Sequence, residues 1–123
     1  MRIEVRTSTL GAAGVVAVLG EIDLSAAPRV REAVGDHIDA GVCHLVLDLT
    51  QVTFMDSTGL GLLVGTHKAT SARGGGLRVV CENPRLLRLL AVTGLSRSVV
   101  VRSTLDEAVA DWPAATTPVS PRR

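Results

Sequence analysis

Asp56, Ser57 and Thr58 stand in a row between a run of strand-forming residues and an apolar run with helical spacing. Hydroxyls at the start of a helix sit among free backbone N–H groups and at the positive end of the helix dipole. A phosphate added there is tolerated by the fold, so the chemistry on offer is a reversible charge switch on a surface. A plainer reading uses the same residues. Any one of them can cap the helix by accepting a hydrogen bond from a first-turn amide, which contributes ~1 kcal/mol. With Asp56 as the cap, Met55 and Leu60 become the apolar staple across it. A cap needs only one such residue, and three are present. Gly59 and Gly61 are a further oddity, because glycine inside a helix costs ~1 kcal/mol relative to alanine. They make sense where another molecule's backbone comes close.

Other chemistries fit less well. Asp48, placed at the end of an apolar strand, resembles the phosphoacceptor of a receiver domain. That chemistry needs an acidic metal pocket at the end of the first strand and a late-strand lysine. Here the first strand ends in Thr7-Ser8-Thr9, and the single lysine, Lys68, lies in a helical segment. A nucleophilic serine of the Gly-x-Ser-x-Gly type is excluded around Ser57, since Met55 occupies the position two before it. His37 and His67 fall in helical segments and His44 enters a strand, so no Ser–His pair can be assigned. Cys43-His44 and Cys81 lack metal-ligand spacing and suit buried packing. The expectation is a binding protein with no catalytic residue, no metal and no cofactor of its own.

Composition narrows the class further. Thirteen basic and twelve acidic residues nearly cancel and are interspersed, and aromatic residues make up 2% of the chain. Nucleic-acid surfaces usually combine a basic field with stacking aromatics, so that class is set aside. No apolar run approaches the ~18 residues needed to cross a bilayer. The first residues read as a strand rather than a signal peptide, so a cytoplasmic chain with reduced cysteines is expected.

The elements that must position Ser57 follow from periodicity. Ile3, Val5 and Thr7 alternate with Glu4 and Arg6, as in an edge strand. Thr9 to Gly14 reads as a turn, and Val15 to Leu19 as a strand covered on both faces. Ser25 is the expected cap of a first helix carrying Ala27, Val30, Ala33, Val34 and Ile38 at helical spacing, with Pro28 in its first turn and Gly41 as its stop. Val42 to Leu49 is the next strand, followed by a short loop. The second helix spans about 57–73, with Leu60, Leu63, Val64 and His67 on its buried stripe. Leu77 to Cys81 is a strand. Asn83-Pro84 opens a third helix that stops at Gly94. Val99 to Val101 is the last strand, and Thr104 to Glu107 has capping-box spacing and opens a final helix through Trp112. Trp112 is expected to pin that helix to the domain. Residues 113–123 are rich in Pro, Ala and Thr and read as a disordered tail after a domain spanning 1–112. A hairpin followed by repeated strand–helix crossovers predicts an α/β fold with a mixed, mostly parallel sheet and about four helices.

Phe54-Met55-Asp56-Ser57-Thr58-Gly59-Leu60-Gly61, following Leu47-Asp48-Leu49, resembles the signature of the STAS domain, and within it the bacterial anti-sigma factor antagonists. Gly20 to Pro28 resembles that family's second strand and first-helix approach, and Leu89 to Leu95 its third helix. The resemblance covers about 3–112 and implies a STAS-like fold and a partner-switching regulator of transcription, as in stress response or sporulation. The unphosphorylated form would bind an anti-sigma factor that is also a Ser/Thr kinase, freeing the sigma factor. Phosphorylation by that kinase would separate the two, and a PP2C-type phosphatase would reset the cycle. ATP would be bound by the kinase, and the free antagonist would be a monomer, with a dimer through the exposed first strand as the alternative. The family's phosphoacceptor falls on Ser57, with Thr58 as the second choice, and Asp23 matches a family loop beside the acceptor. The implied docking surface is Asp23 with Asp56, Ser57, Thr58, Gly59, Leu60 and Gly61. Some STAS domains are never phosphorylated and act as scaffold or transport-accessory docking modules, which is the alternative.

Overall fold

The computed structural model describes residues 3–112; the expected tail at 113–123 lies outside them. Along the chain run β1 (Ile3–Leu10), β2 (Ala13–Ile22), α1 (Ala27–Asp39), β3 (His44–Met55), α2 (Ser57–Ser71), β4 (Gly76–Val80), α3 (Pro84–Val92), a 3-10 turn at Leu95–Arg97, β5 (Val100–Arg102) and α4 (Leu105–Val109). The strands form one sheet in the order β1-β2-β3-β4-β5. β1 is an antiparallel edge strand on β2, and the remaining pairs are parallel. The α/β expectation, with four helices and a mostly parallel sheet, is met.

Crossovers between parallel strands are right-handed in nearly all cases, so a sheet whose order never reverses carries its crossover helices on one face. Val30 and Val34 of α1, Leu62 and Leu63 of α2 and Leu86 and Leu90 of α3 pack there on Val16, Leu45, Leu47 and Val79. On the other face, among the described residues, α4 and the Trp112 that follows it supply the cover: Ala108, with Leu105, Val109 and Trp112, meets Ala13, Val15, Val46 and Val80. Cover on that face is therefore partial, and Ala17 and Leu19 of β2 stay half-buried where two-sided burial was expected.

Several boundaries differ from the sequence reading. The expected turn at Thr9–Gly14 shrinks to Gly11-Ala12, with Gly11 at φ 63°, because strand pairing continues to Leu10↔Ala13. Ser25 does not cap α1. Its hydroxyl donates to the Asp23 carboxylate at 2.9 Å, and the helix begins after Ala26 without a side-chain cap. The loop expected after Leu49 is strand: β3 runs on to Met55 because Gln51, Val52, Phe54 and Met55 pair with Leu19 to Ile22 of β2 across two register shifts. The buried stripe of α2 is Gly59, Leu62, Leu63, Thr66 and Thr70, whereas Val64 is exposed and Leu60 and His67 are half-buried. The abundance of leucine and valine in this helix blurred which face turns inward.

Candidate functional site

The ends of β2 and β3 carry the candidate site. Ile22 pairs with Met55, and the Asp56 amide donates to the Ile22 carbonyl at 3.2 Å. The Asp23 turn is thereby held beside the opening of α2. The extra length of β3 does this: a flexible loop in its place would leave the two segments independent.

Asp56 is the cap of α2. It is extended (φ −100°), and its Oδ1 accepts from the Thr58 amide at 2.9 Å and the Gly59 amide at 3.4 Å. The capping work is done by that one side chain, which leaves Ser57 and Thr58 to be explained. Ser57 is the first helical residue and is exposed, while Thr58 and Leu60 are half-buried. Ser57 is therefore the more accessible of the two hydroxyl-bearing residues.

The two glycines part company. Gly59 is buried, and a Cβ there would lie 2.2 Å from Met55 Cγ and 3.2 Å from Ile22 Cγ2. Its glycine is a demand of the fold, not the close approach of another molecule that the sequence suggested. At Gly61, which is exposed, an added Cβ meets nothing within 4 Å. The fold makes no such demand there.

Asp23 Oδ1 accepts from the Ser25 hydroxyl at 2.9 Å and the Ala26 amide at 3.0 Å. The Ser25 bond first, and the Ala26 amide second, hold its carboxyl below the usual carboxylate range. Its backbone carbonyl takes the Ala26 and Ala27 amides, so this turn substitutes for the missing cap of α1. Next to it, Leu24 is 75% exposed, which sequence periodicity did not reveal. Phe54 is 48% exposed and lines a cleft of about 300 Å³ with Arg85, Leu86 and Leu89. The site thus pairs carboxylates and a hydroxyl with bare apolar side chains, a composition suited to protein recognition.

The enzyme-like alternatives are not supported. Asp48 lies mid-strand rather than at a strand end, and its carboxylate is held by the amide (3.1 Å) and hydroxyl of Thr50. Among the described residues no cluster of three or more His, Cys, Asp or Glu could hold a metal. His44 packs edge-on against Trp112 at 5.0 Å, and His37 and His67 are half-buried in their helices. Cys81 is buried, and burial pushes its thiol pKa up, away from reactivity.

The chain and its fold match a known family. The STAS domain family model covers residues 3–108, and the chain belongs to the STAS domain family. The anti-sigma-B factor antagonist of Listeria monocytogenes is 41% identical over 91 residues, 73% of this chain and 79% of that protein. The anti-sigma-B factor antagonist of Bacillus subtilis is 42% identical over 80 residues, 65% of this chain and 72% of that protein. The crystal structure of an anti-sigma factor antagonist from Mycobacterium paratuberculosis superposes with a TM-score of 0.79 at 32% identity, covering 89% of this chain and 92% of that one. No helix among the described residues is long and apolar enough to cross a membrane.

Proposed function

We propose that this chain is a cytoplasmic anti-sigma factor antagonist that works by partner switching, with Ser57 as the switched residue and no catalytic activity of its own. Its partner is an anti-sigma factor kinase, which binds the ATP, and a PP2C-type phosphatase restores the binding form. The docking surface is the Asp23 turn with Asp56 to Gly61. The observation that carries the reading is an exposed Ser57 at the first turn of a helix whose cap is supplied by its neighbour Asp56. Kinship with anti-sigma factor antagonists supports it.

Two free energies decide how such a switch acts. A phosphoserine adds about −1.5 to −2 charge. At a helix N-terminus that charge gains ~0.3–1 kcal/mol, so the fold survives it. In a docked interface the same group must shed its water and sit near Asp23 and Asp56, at a cost of several kcal/mol. Each ~1.4 kcal/mol is tenfold in affinity. The interface effect is the larger one, so a surface phosphate governs binding without a change of shape.

The test takes each anti-sigma factor kinase encoded in the same genome, purified, with Mg-ATP. One of them is expected to bind the chain, to phosphorylate it at Ser57 by peptide mapping, and then to release it. Ser57→Ala should bind that kinase constitutively. Binding without phosphorylation by every kinase would point to the scaffold reading instead, and phosphate on Thr58 would move the switch by one residue.

A further inference from the structure

β1 is a free edge of the sheet, and its eight residues, Ile3–Leu10, carry little that would keep another strand away. It holds no proline and no lysine, its ladder with β2 runs without a register shift, and every residue from Arg6 to Leu10 is exposed. The register fixes which backbone groups face outward. Gly11-Ala12 is a two-residue turn, so the flanking pair Leu10↔Ala13 exchanges hydrogen bonds, and Ser8, Arg6 and Glu4 direct theirs to β2 in step. The N–H and C=O groups of Ile3, Val5, Thr7 and Thr9 therefore point away from the sheet. Arg29 is an independent sign of this, since its guanidinium reaches round from α1 and donates to the Ile3 carbonyl at 2.7 Å. Among the described residues no other hydrogen bond reaches that outer row.

The charges on the strand are self-complementary. Ile3 and Val5 pack on the core beneath the helices, so Glu4 and Arg6 lie on the opposite face. Within the chain they pair along the strand at 2.7 Å, with both side chains more than half exposed. Such a surface pair contributes little and is readily exchanged. In an antiparallel pair of β1 strands centred on Val5, Glu4 of each copy stands opposite Arg6 of the other. Centring on Glu4 or on Arg6 instead sets like charges directly opposite, which is destabilising, and centring on Thr7 pairs neither charge with its opposite.

We propose that β1 is a self-recognition edge, through which a second copy of this chain pairs antiparallel about Val5. The outward groups of Ile3, Val5 and Thr7 then meet those of Thr7, Val5 and Ile3 of the second copy. The Ile3 carbonyl has a second lone pair for that Thr7 amide beside Arg29. The interface is small and polar, so the dimer is reversible, with a Kd on the order of 10–100 μM and the monomer prevailing on dilution. At ~3.3 Å per residue, Ile22 lies ~13 Å along β2 from Val18, which pairs with Val5. The Ile22 of the second copy lies as far in the opposite direction. The Asp23 turns and Ser57 hydroxyls thus sit at opposite ends of the joined sheet, both open to partners.

Sedimentation equilibrium of the full chain at low salt, from about 5 to about 500 μM, reads the association constant. Glu4→Arg and Arg6→Glu each set like charges across the joint and should weaken it at least tenfold. The double variant Glu4→Arg/Arg6→Glu keeps the parent's net charge and opposes the signs again, so it should recover the parental constant within about threefold. Thr7→Pro removes an outward N–H without touching the ladder to β2 and should leave a folded monomer by thermal unfolding. A parent that stays monomeric throughout would overturn the proposal. So would single charge variants that associate as the parent does, a double variant that fails to recover, or a folded Thr7→Pro chain that still dimerises. Should Thr7→Pro unfold the chain, the exposed charge variants decide alone.

Discussion

The opening of α2 and the underside of the sheet at α4 are built from similar parts and put them to opposite uses. Both helices are capped by a side chain, Asp56 in one and Thr104, whose hydroxyl accepts from the Glu107 amide at 3.2 Å, in the other. At α4 the helix's acidic residues Asp106 and Glu107 face solvent, but Arg78 and Trp112 are tied into the fold. Arg78 donates to the Ala108 carbonyl at 2.9 Å, pairs with Asp111, and lies 4.2 Å over the Trp112 ring, which His44 also meets, edge-on. At α2 the groups beyond the cap are left outward: Ser57 and Gly61 are exposed, and so are Phe54 and Leu24 nearby. One region ties its side chains into the fold, and the other, the proposed docking surface, leaves them exposed. Changes at the two should therefore separate binding from stability.

The largest effect expected is on that separation. Ser57→Asp should weaken binding of the anti-sigma factor about a hundredfold, or ~2.8 kcal/mol, with thermal unfolding within error of the parent. Trp112→Ala should do the reverse. Loss of a half-buried indole and its cation contact is expected to cost ~2 kcal/mol in denaturant unfolding while affinity holds. If Trp112→Ala also lost binding, the two regions would be coupled and the division would fail.

The contrast sharpens within α2 at two glycines separated by a single residue. Gly59→Ala forces a methyl into Met55 and should destabilise by ~1–3 kcal/mol. Gly61→Ala adds a methyl in open space and should stabilise by up to ~1 kcal/mol through helix propensity alone. Urea titration of both variants checks the pair. Similar effects of the same sign would mean that helix propensity, not packing on Met55, governs both positions.

Both glycines carry the same letter, and that marks the limit of what the sequence could tell. Alternation and apolar runs located every strand and helix, and the capping pattern at Asp56 was legible because N-caps depend on local chemistry. The error at Gly59 came from a contact between a helix and the strand before it, which periodicity does not encode. Ser25 failed as a cap for a related reason: Asp23, two residues earlier, offers a stronger acceptor and takes its hydroxyl. The loop assigned to Thr50–Met55 is strand: Thr50, Val52, Thr53 and Phe54 are strand-favouring residues whose signal the sequence reading passed over, and β2 is there to pair with the segment. Ser57 was singled out from residue type and position, but its exposure, and the capping of α2 by Asp56 in its place, needed coordinates. The bare Leu24 had no sequence signal.

Removing the cap gives a smaller effect. Asp56→Ala frees the amides of Thr58 and Gly59 and should cost ~1 kcal/mol of stability. Amide exchange should quicken in the first turn of α2 and leave α4 unchanged. Asp56→Asn should recover most of the loss, since the amide oxygen can still accept. Uniform acceleration across both helices would show that the cap supports the whole sheet instead of one end.

The smallest effects separate the two regions by the way each holds a carboxylate. Asp23 and Asp111 both titrate below the ordinary aspartate value of 3.8, so each contributes stability that is present above that value and lost as pH falls through its folded pKa. For Asp23 the leading cause is the Ser25 hydroxyl, then the Ala26 amide; for Asp111 it is the hydrogen bond from the charged Arg78, with the Arg78 and Arg102 charges adding to it. Salt at 1 M shortens the screening length to ~3 Å. It should move the Asp111 midpoint up toward 3.8 in a carboxyl NMR titration, while Asp23 shifts less. Ser25→Ala should raise Asp23 and leave Asp111 in place. A common response of both carboxyls to salt would mean that the Asp23 turn is held by the general field of the protein. The contrast between a locally wired recognition turn and an ion-paired structural strap would then be wrong at its most sensitive point.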